Sequence, residues 1–267
     1  KDRWFHLKEA ADFPVFTDVD DALKALALSR EHWNNLGKPT HTGKTMSFLR
    51  HKKVLKNMNA PGLLDSTHSF SLVQEYGIAV AEYSLATTHS EAMENARKIG
   101  YPVALKTTSP SVLHKTEHNG VFLNIKNDRE LSKALGKIKT DTYFIQKMAP
   151  AGTEVIVGGK RDREFGPVIL FGLGGIFVEV FQDTLIRVAP VDLVTAAQMI
   201  DSINGSRLLK GFRGSKPSDI EVLAHVLVNI STLLMDHPEI TDLDINPLIV
   251  LEKGRGCIAV DVKIQIS

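Results

Sequence analysis

The sequence predicts a mixed α/β fold of two lobes, preceded by a helical segment and a linker. Between about residues 63 and 148, helical and strand patterns alternate, which is typical of an α/β lobe. Beyond Pro150, strand-like runs predominate around two helical runs, which indicates a second, β-rich lobe. A chain of 267 residues, 43% of them hydrophobic, is long enough to bury a core in each lobe.

The bulk composition argues against several classes of function. The 32 Lys and Arg residues balance 31 Asp and Glu residues, so nothing in the charge favours nucleic acid or an anionic membrane. No apolar stretch approaches a membrane span, and the opening residues lack a signal-peptide pattern. The chain has no initiator Met, so we expect a piece of a longer protein. The single cysteine, Cys257, cannot form an intrachain disulfide, and we expect a cytoplasmic location.

The first predicted elements are a helix over residues 13–33 and a linker over about 35–62. A Thr17/Asp18 cap candidate opens the helix, and the linker is rich in Gly, Pro, Thr, Asn and basic residues. In the first lobe we predict helices at 66–76, 90–99 and 128–138, with strands at 78–84, 102–106, 120–125 and 143–148. In the second lobe we predict strands at 154–158, 167–172, 176–181 and 185–188, helices at 193–200 and 218–235, and two closing strands.

The two closing strands carry the most informative pattern. Asp242, Asp244 and Asn246 alternate with apolar residues, as do the polar residues of the strand that contains Asp261. A hairpin that turns at Lys253-Gly254 pairs residues whose numbers sum to 507, which sets Asn246 opposite Asp261. Directly opposed side chains have Cβ atoms about 4.5–5.5 Å apart, so the two oxygens can share a hard cation such as Mg²⁺. Alternatively, the polar face merely contacts water, or a register slip separates the pair.

Two candidates for phosphate chemistry lie in the first lobe. Lys106 ends the strand after Tyr101, where an ammonium can act as a point charge on phosphate or can simply be solvated. The loop over residues 107–120 contains His114, and a neutral imidazole on a mobile loop can attack phosphorus. An ordinary surface histidine is the alternative, and His118 is a second candidate.

Two further segments are compatible with nucleotide binding. Gly174 and Gly175 belong to the glycine-rich run 171–175, which can present backbone N–H groups to phosphate or can be a simple bend between strands. In the segment Gln146, Lys147 and Met148, the backbone can pair with a purine edge while Met148 packs on the ring. A core strand that ends in a turn explains the same residues.

Five runs follow one another along the chain: GYPVALK, SPSVLHKTEHNGV, the stretch over residues 154–190, DINPL and AVDVK. Taken in this order, they closely resemble the ATP-grasp portion of ADP-forming acetyl-CoA synthetases, relatives of succinyl-CoA synthetase. The resemblance extends from about residue 63 to 263 and implies an ATP-grasp fold, with ATP or ADP in a cleft between the lobes. It implies lobes at about 63–147 and 148–267, and residues 1–36 as the tail of a preceding CoA-ligase-type domain, joined by a linker at 37–62.

The resemblance also implies roles for individual residues. Lys106 would hold nucleotide phosphates, Asn246 and Asp261 would ligate Mg²⁺, and His114 would carry a phosphoryl group. The phosphate end of the cleft would be lined by residues in matching motifs: Glu154, Glu179 and Arg187.

The implied reaction converts acyl-CoA, ADP and phosphate into a carboxylic acid, CoA and ATP through a phosphohistidine. It implies CoA-binding and CoA-ligase domains as partners, in the same polypeptide or in another subunit. Two alternatives share the fold: a regulatory or scaffolding module fused to an acetyltransferase, and a ligase that forms an acyl phosphate directly. A non-enzymatic interaction module has no positive support in the sequence.

Overall fold

A computed structural model describes residues 61–107, 120–175, 183–212 and 214–267, together with scattered positions between 19 and 30. The chain divides into two compact units, residues 1–44 and 45–267. In the first unit the described positions are helical, whereas the rest of the predicted helix at 13–33 lies outside the described residues. Nearly all of the predicted linker and the predicted strand at 176–181 also lie outside them. The predicted domain limits at 36 and 62 therefore stay predictions.

The first lobe consists of a four-stranded antiparallel sheet with helices packed on it. Its elements are β2 (Tyr83–Ala86), α2 (His89–Ile99), β3 (Val103–Thr107), β4 (Val121–Ile125), α3 (Asp128–Leu135) and β5 (Tyr143–Lys147), and the strand order is β2-β5-β3-β4. Helix α1 (Ser66–Glu75) precedes them in the chain but packs on the larger, second sheet and its core. Polar side chains cap the helices: Asp65 accepts from the amides of Thr67 and His68, and Thr88 accepts from that of Glu91. Apolar residues of α2, α3 and the sheet form a separate core.

The second lobe is dominated by a larger sheet. Its elements are β6 (Thr153–Asp162), β7 (Gly166–Leu173), β8 (Thr184–Val188), α4 (Leu193–Ser202), α5 (Ser206–Leu209), α6 (Ile220–Asp236), β9 (Ile240–Val250), β10 (Cys257–Ala259) and β11 (Val262–Ile266). With the short strand β1 (Gly62–Leu63), the described strands follow the order β1-β11-β9-β6-β7-β8, and β10 pairs with β9. Both α4 and α6 pack on this sheet and enclose the main core. No helix in the described part of the chain is long and apolar enough to cross a membrane.

The predicted α/β fold of two lobes is confirmed, with differences at particular elements. The strand predicted at 78–84 begins only at Tyr83, because Ala79 and Ala81 instead bond to the backbone of Ala259 in the other lobe. The strand predicted at 154–158 extends to Asp162, since β7 pairs with it from Val155 to Asp162 and β9 pairs with it from Thr153 to Lys160. The short elements β1 and α5 have no periodic pattern, and the sequence did not predict them.

Candidate functional site

The closing hairpin has the predicted register. Its turn is closed by the Arg255 amide, which donates to the Glu252 carbonyl at 2.9 Å, with Gly254 at φ +83°. A positive φ at this turn position favours glycine, because a side chain there would be strained. Pairing of Cys257 with Val250 and of Val262 with Ile245 preserves one register on both sides of residues 260–261.

The predicted metal pair lies at the gap between β10 and β11. The Asn246 amide donates to the Asp261 carbonyl at 3.2 Å, and the Val260 amide donates to the Pro247 carbonyl at 3.1 Å. These bonds place Asn246 opposite Asp261, as the hairpin register requires. Asn246 is exposed and Asp261 is half-buried, so both side chains are accessible from solvent.

One face of this hairpin is polar and the other belongs to the core. Leu243 and Ile245 are buried, whereas Asp244 between them is half-buried and lies opposite Lys263. Burial raises the pKa of Asp244, the Lys263 ammonium opposes that shift, and the negative charge of Asp261 adds to it. Two carboxylates and an amide oxygen therefore lie close together on one polar face.

The two lobes meet at the backbone of Val260. Lys106 Nζ, from β3, donates to the Val260 carbonyl oxygen at 3.2 Å, and Gln146 Nε2, from β5, donates to the same oxygen at 3.1 Å. Both side chains leave the same face of the first sheet, because Gln146 pairs with Ala104, two residues before Lys106. The structure thus brings the predicted phosphate lysine to the residue that precedes Asp261.

A second set of backbone bonds holds the hairpin to the first lobe. The Ala81 amide donates to the Ala259 carbonyl at 2.9 Å, and the Ala259 amide donates to the Ala79 carbonyl at 2.8 Å. These bonds lie next to the Val260 contacts. The position of the predicted metal pair relative to Lys106 is consequently fixed by backbone as well as by side chains.

Gly174, Gly175 and Glu154 come together where β6 begins and β7 ends. The Gly174 amide donates to the Glu154 carbonyl at 2.8 Å, and a Cβ added to Gly174 would lie 3.0 Å from the Glu154 backbone. Gly175 has φ +63°, and a Cβ there would lie 3.2 Å from Glu154 Oε2. Close approach to Glu154 therefore explains why glycine occupies both positions. Glu154 shares a face with Gly158, which pairs with Asp244, so its side chain projects from the polar face.

Lys147 and Met148 lie on the predicted connection between the lobes. The Lys147 ammonium donates to the Gly100 carbonyl and, at 3.3 Å, to the Tyr101 carbonyl, so it binds the turn after α2. The Met148 amide donates to the Pro102 carbonyl at 3.1 Å. Because this amide is already bonded, a purine edge would have to pair with other backbone groups of the segment. The roles predicted for Lys147 and Met148 stay predictions.

Arg187 lies in β8, and its predicted role in the cleft stays a prediction. In β8, Arg187 pairs with Ile169, a fully buried core residue, and directly opposed residues share a face. Its Nη1 donates to the Ile186 carbonyl at 2.9 Å. Two predicted catalytic residues, His114 and Glu179, lie outside the described residues, as does the second loop candidate, His118.

Sequence reasoning missed two features of this region. One is the Val260 carbonyl, which no side-chain pattern can indicate because its partners are 154 and 114 residues away in the chain. The other is buried Asp183, which accepts from the Asn204 amide at 2.8 Å and the Gly205 amide at 2.7 Å. The described residues hold no group of three or more His, Cys, Asp and Glu side chains suited to a metal ion. Asn246 with Asp261 stays the predicted metal-ligand pair.

The fold and the polar face between the lobes define an ATP-grasp domain, a nucleotide-binding architecture. The chain belongs to this family, since the family model for the ATP-grasp domain matches residues 56–266. Within it, the chain belongs with the ADP-forming acyl-CoA synthetases, the group that its sequence resembles.

Three relatives support this placement. The chain is 42% identical to the β subunit of acetate–CoA ligase (ADP-forming) I from Pyrococcus furiosus, over 72% of this chain and 87% of that subunit. It is 41% identical to acetate–CoA ligase (ADP-forming) I from Archaeoglobus fulgidus, over 76% of this chain and 31% of that protein. It is 36% identical to 4-hydroxybutyrate–CoA ligase (ADP-forming) from Nitrosopumilus maritimus, over 95% of this chain and 38% of that protein. The chain thus spans about a third of the length of the last two relatives.

Solved structures show the same fold. Acetyl-coenzyme A synthetase 1 from Ca. Korarchaeum cryptofilum, in complex with coenzyme A and Ca-AMPCP, superposes with a TM-score of 0.75 at 36% identity, over 80% of this chain and 96% of that one. The same enzyme with coenzyme A and Mg-AMPPCP gives a TM-score of 0.69 at 36% identity, with the same shares covered. In that second complex, a phosphohistidine segment of the Korarchaeum enzyme points towards the nucleotide-binding site.

Proposed function

We propose that this chain is the nucleotide-binding part of an ADP-forming acyl-CoA synthetase. The observation that carries the proposal is the meeting of the lobes at Val260, where the Lys106 ammonium reaches the residue beside Asp261. The ammonium group that would bind phosphate therefore lies next to the oxygen atoms that would bind the metal ion. The Mg-nucleotide complex of the related Korarchaeum enzyme supports the same assignment.

The residues of the polar face fit Mg²⁺. Mg²⁺ prefers oxygen ligands and is usually held by one or two protein groups together with water and substrate phosphates. Asn246 and Asp261 supply an amide oxygen and a carboxylate on opposed, accessible positions. When bound, the ion would neutralise charge that develops on the phosphates.

Lys106 is proposed to hold the phosphates of ATP or ADP. Its ammonium is half-buried and is directed by the rigid strand β3, so the charge is placed before the nucleotide binds. Glu154, Gly174 and Gly175 are proposed to line the phosphate end of the site. Gln146, Lys147 and Met148 are proposed to lie beside the nucleotide at the connection between the lobes.

His114 is proposed to accept the terminal phosphoryl group of ATP. A ring nitrogen of His114 forms a bond to phosphorus, the bond from that phosphorus to the bridging oxygen breaks, and ADP leaves with the electron pair. The reverse step makes ATP from ADP, and positioning together with charge neutralisation supplies most of the catalysis. Glu179 and Arg187 are proposed to assist this transfer.

The complete reaction is proposed to convert acyl-CoA, ADP and phosphate into a carboxylic acid, CoA and ATP. CoA-binding and CoA-ligase domains, in the same polypeptide or in a partner subunit, would supply the remaining steps. Residues 1–36 are proposed as the tail of such a domain, with a linker at 37–62. We place the protein in the cytoplasm, with no nucleic acid or membrane as partner.

Labelling with [γ-³²P]ATP tests this proposal. The chain should acquire acid-labile, base-stable label with Mg²⁺ present, and His114→Ala should abolish it whereas His118→Ala retains it. Label that remains in His114→Ala would overturn the assignment of the histidine. Absence of protein-bound label, together with binding of Mg-ATP, would favour a ligase that forms an acyl phosphate directly.

A further inference from the structure

Gln146 is the one residue of the segment 146–148 whose described side-chain contact lies beside the proposed metal pair. Its side chain is 1% exposed, and Nε2 donates to the Val260 carbonyl at 3.1 Å. We propose that Gln146 is a positioning residue for the metal site: it fixes the backbone at Val260 and thereby the carboxylate of Asp261. The inference rests on the proposed function, because it takes Asn246 and Asp261 as the Mg²⁺ ligands.

The backbone around Val260 needs such support. Strand β10 ends at Ala259 and β11 begins at Val262, so residues 260 and 261 form a gap in the strand. On the β9 side, the Val260 amide and the Asp261 carbonyl bond to Pro247 and Asn246. The Val260 carbonyl bonds instead to the first lobe, through Lys106 and Gln146. The peptide that leads into Asp261 is thus held from both lobes.

The two donors to Val260 differ in what a nucleotide would do to them. Lys106 carries a charge that phosphate oxygens would attract, so its bond to a neutral carbonyl competes with the nucleotide. The Gln146 amide is neutral and is buried in β5 between β2 and β3, which fixes its backbone. Gln146 is therefore the donor that can keep Val260 in place when Lys106 binds phosphate.

The oxygen atom of the same amide group is consistent with a role for Gln146 as a hydrogen-bond donor to Val260. Gln146 Oε1 is buried and has no hydrogen-bond partner in the described part of the chain. A buried acceptor without a donor destabilises the fold. If the side chain at this position only filled space, an apolar residue would therefore be more favourable than glutamine. The donor bond to Val260 is the contact that accounts for an amide here.

Partners that orient metal ligands typically change metal affinity by about 10- to 100-fold when they are removed. Gln146→Glu keeps the shape but sets an oxygen against the Val260 carbonyl, and Gln146→Met keeps the length without a donor. In both variants we expect the affinity of the ADP complex for Mn²⁺ to fall by about tenfold. The affinity for ADP without metal should fall less than the affinity for Mn²⁺, because the Gln146 side chain is 1% exposed and bonds to Val260, which leaves its backbone to lie beside the nucleotide.

The experiment titrates Mn²⁺ into the full chain with saturating ADP and measures bound ion by electron paramagnetic resonance. Calorimetry measures ADP binding without metal, and thermal unfolding confirms that each variant is folded. Ile145→Val, on the opposite face of the same strand and away from Val260, is the control and should bind Mn²⁺ as the wild type does.

The outcomes separate the inference from the proposed function. Unchanged Mn²⁺ affinity in both Gln146 variants, with loss in Asp261→Asn, overturns the positioning role and leaves the metal site standing. Equal losses of metal-free ADP binding and Mn²⁺ binding overturn it in favour of a direct contact with the nucleotide. Unchanged Mn²⁺ binding in Asp261→Asn refutes the metal pair, and the inference with it.

Discussion

Asp261→Asn should weaken metal binding without destabilising the fold. The substitution keeps the side-chain shape and leaves intact the backbone bond from the Asn246 amide to the carbonyl of residue 261, 3.2 Å long. It removes one negative charge that raises the pKa of Asp244. This effect on the pKa is smaller than the effects of burial and of the opposing charge of Lys263. Because both carboxylates are partly exposed and therefore screened, relief of this repulsion should stabilise the fold by no more than about 1 kcal/mol.

The effect of Asp261→Asn on the free energy of unfolding should depend on pH. The folded-state pKa of Asp244 is raised, so its protonated form favours the folded state. Its contribution to stability is full below the unfolded pKa, about 3.9, and is lost as the pH rises through the folded pKa. Asp261→Asn reduces this loss, so the variant should exceed the wild type in stability at pH 7 and approach it at pH 3.

Two measurements decide the outcome. Urea unfolding at both pH values reports the free energy of unfolding, and Mn²⁺ titration with ADP reports metal affinity. We expect the affinity for Mn²⁺ to fall at least about tenfold, since a charged ligand becomes neutral. A variant that is destabilised by more than about 1 kcal/mol at pH 7, or that binds Mn²⁺ as well as the wild type, would refute the reasoning.

Three further predictions concern other parts of the chain. Lys106→Met should weaken ADP binding in calorimetry by about 10- to 100-fold, as expected for a lost charge-assisted bond, whereas Lys160→Met, exposed on another strand, should leave it unchanged. Gly172→Ala should lower the free energy of unfolding by about 1–3 kcal/mol, because the new Cβ would lie 2.6 Å from the Asp183 carbonyl; Gly136→Ala, with 3.7 Å to its nearest neighbour, is the tolerated control, and equal stabilities would contradict the packing argument. Asp65→Ala should cost about 0.5–2 kcal/mol at pH 7 through loss of the α1 cap, with Asp65→Asn much milder. Burial opposes ionisation of Asp65, but hydrogen bonds from Thr67 and His68 lower its pKa to about 2, so the cost should fade as the pH drops from about 4 towards 2, and a pH-independent cost would exclude this cap as its source.

The hairpin shows why part of the site could be predicted from sequence. Strict alternation fixed which residues of the last two strands share a face, and the Lys253-Gly254 turn fixed their register. Both are local properties of about 25 residues, so Asn246 and Asp261 could be paired before any tertiary contact was known.

The remaining features depend on contacts between distant segments. Strand β2 begins later than predicted because Ala79 and Ala81 form hydrogen bonds with Ala259 of the other lobe. Local alternation of residues cannot indicate such contacts. The motif predicted Arg187 at the cleft, whereas its pairing with Ile169 in β8 depends on strands that local patterns do not join, and its role stays a prediction. Lys106 was identified correctly as a strand-end lysine, but its partner is a backbone carbonyl, which leaves no trace in a side-chain pattern.

Calorimetric titration of ADP into the chain, with and without Mg²⁺, tests the central claim most directly. We predict saturable binding that Mg²⁺ strengthens, with this strengthening abolished in Asn246→Ala and Asp261→Asn while both variants remain folded and unfold in a single cooperative transition. ADP binding that Mg²⁺ does not affect, or strengthening that survives in both variants, would contradict the assignment of this hairpin as the metal site.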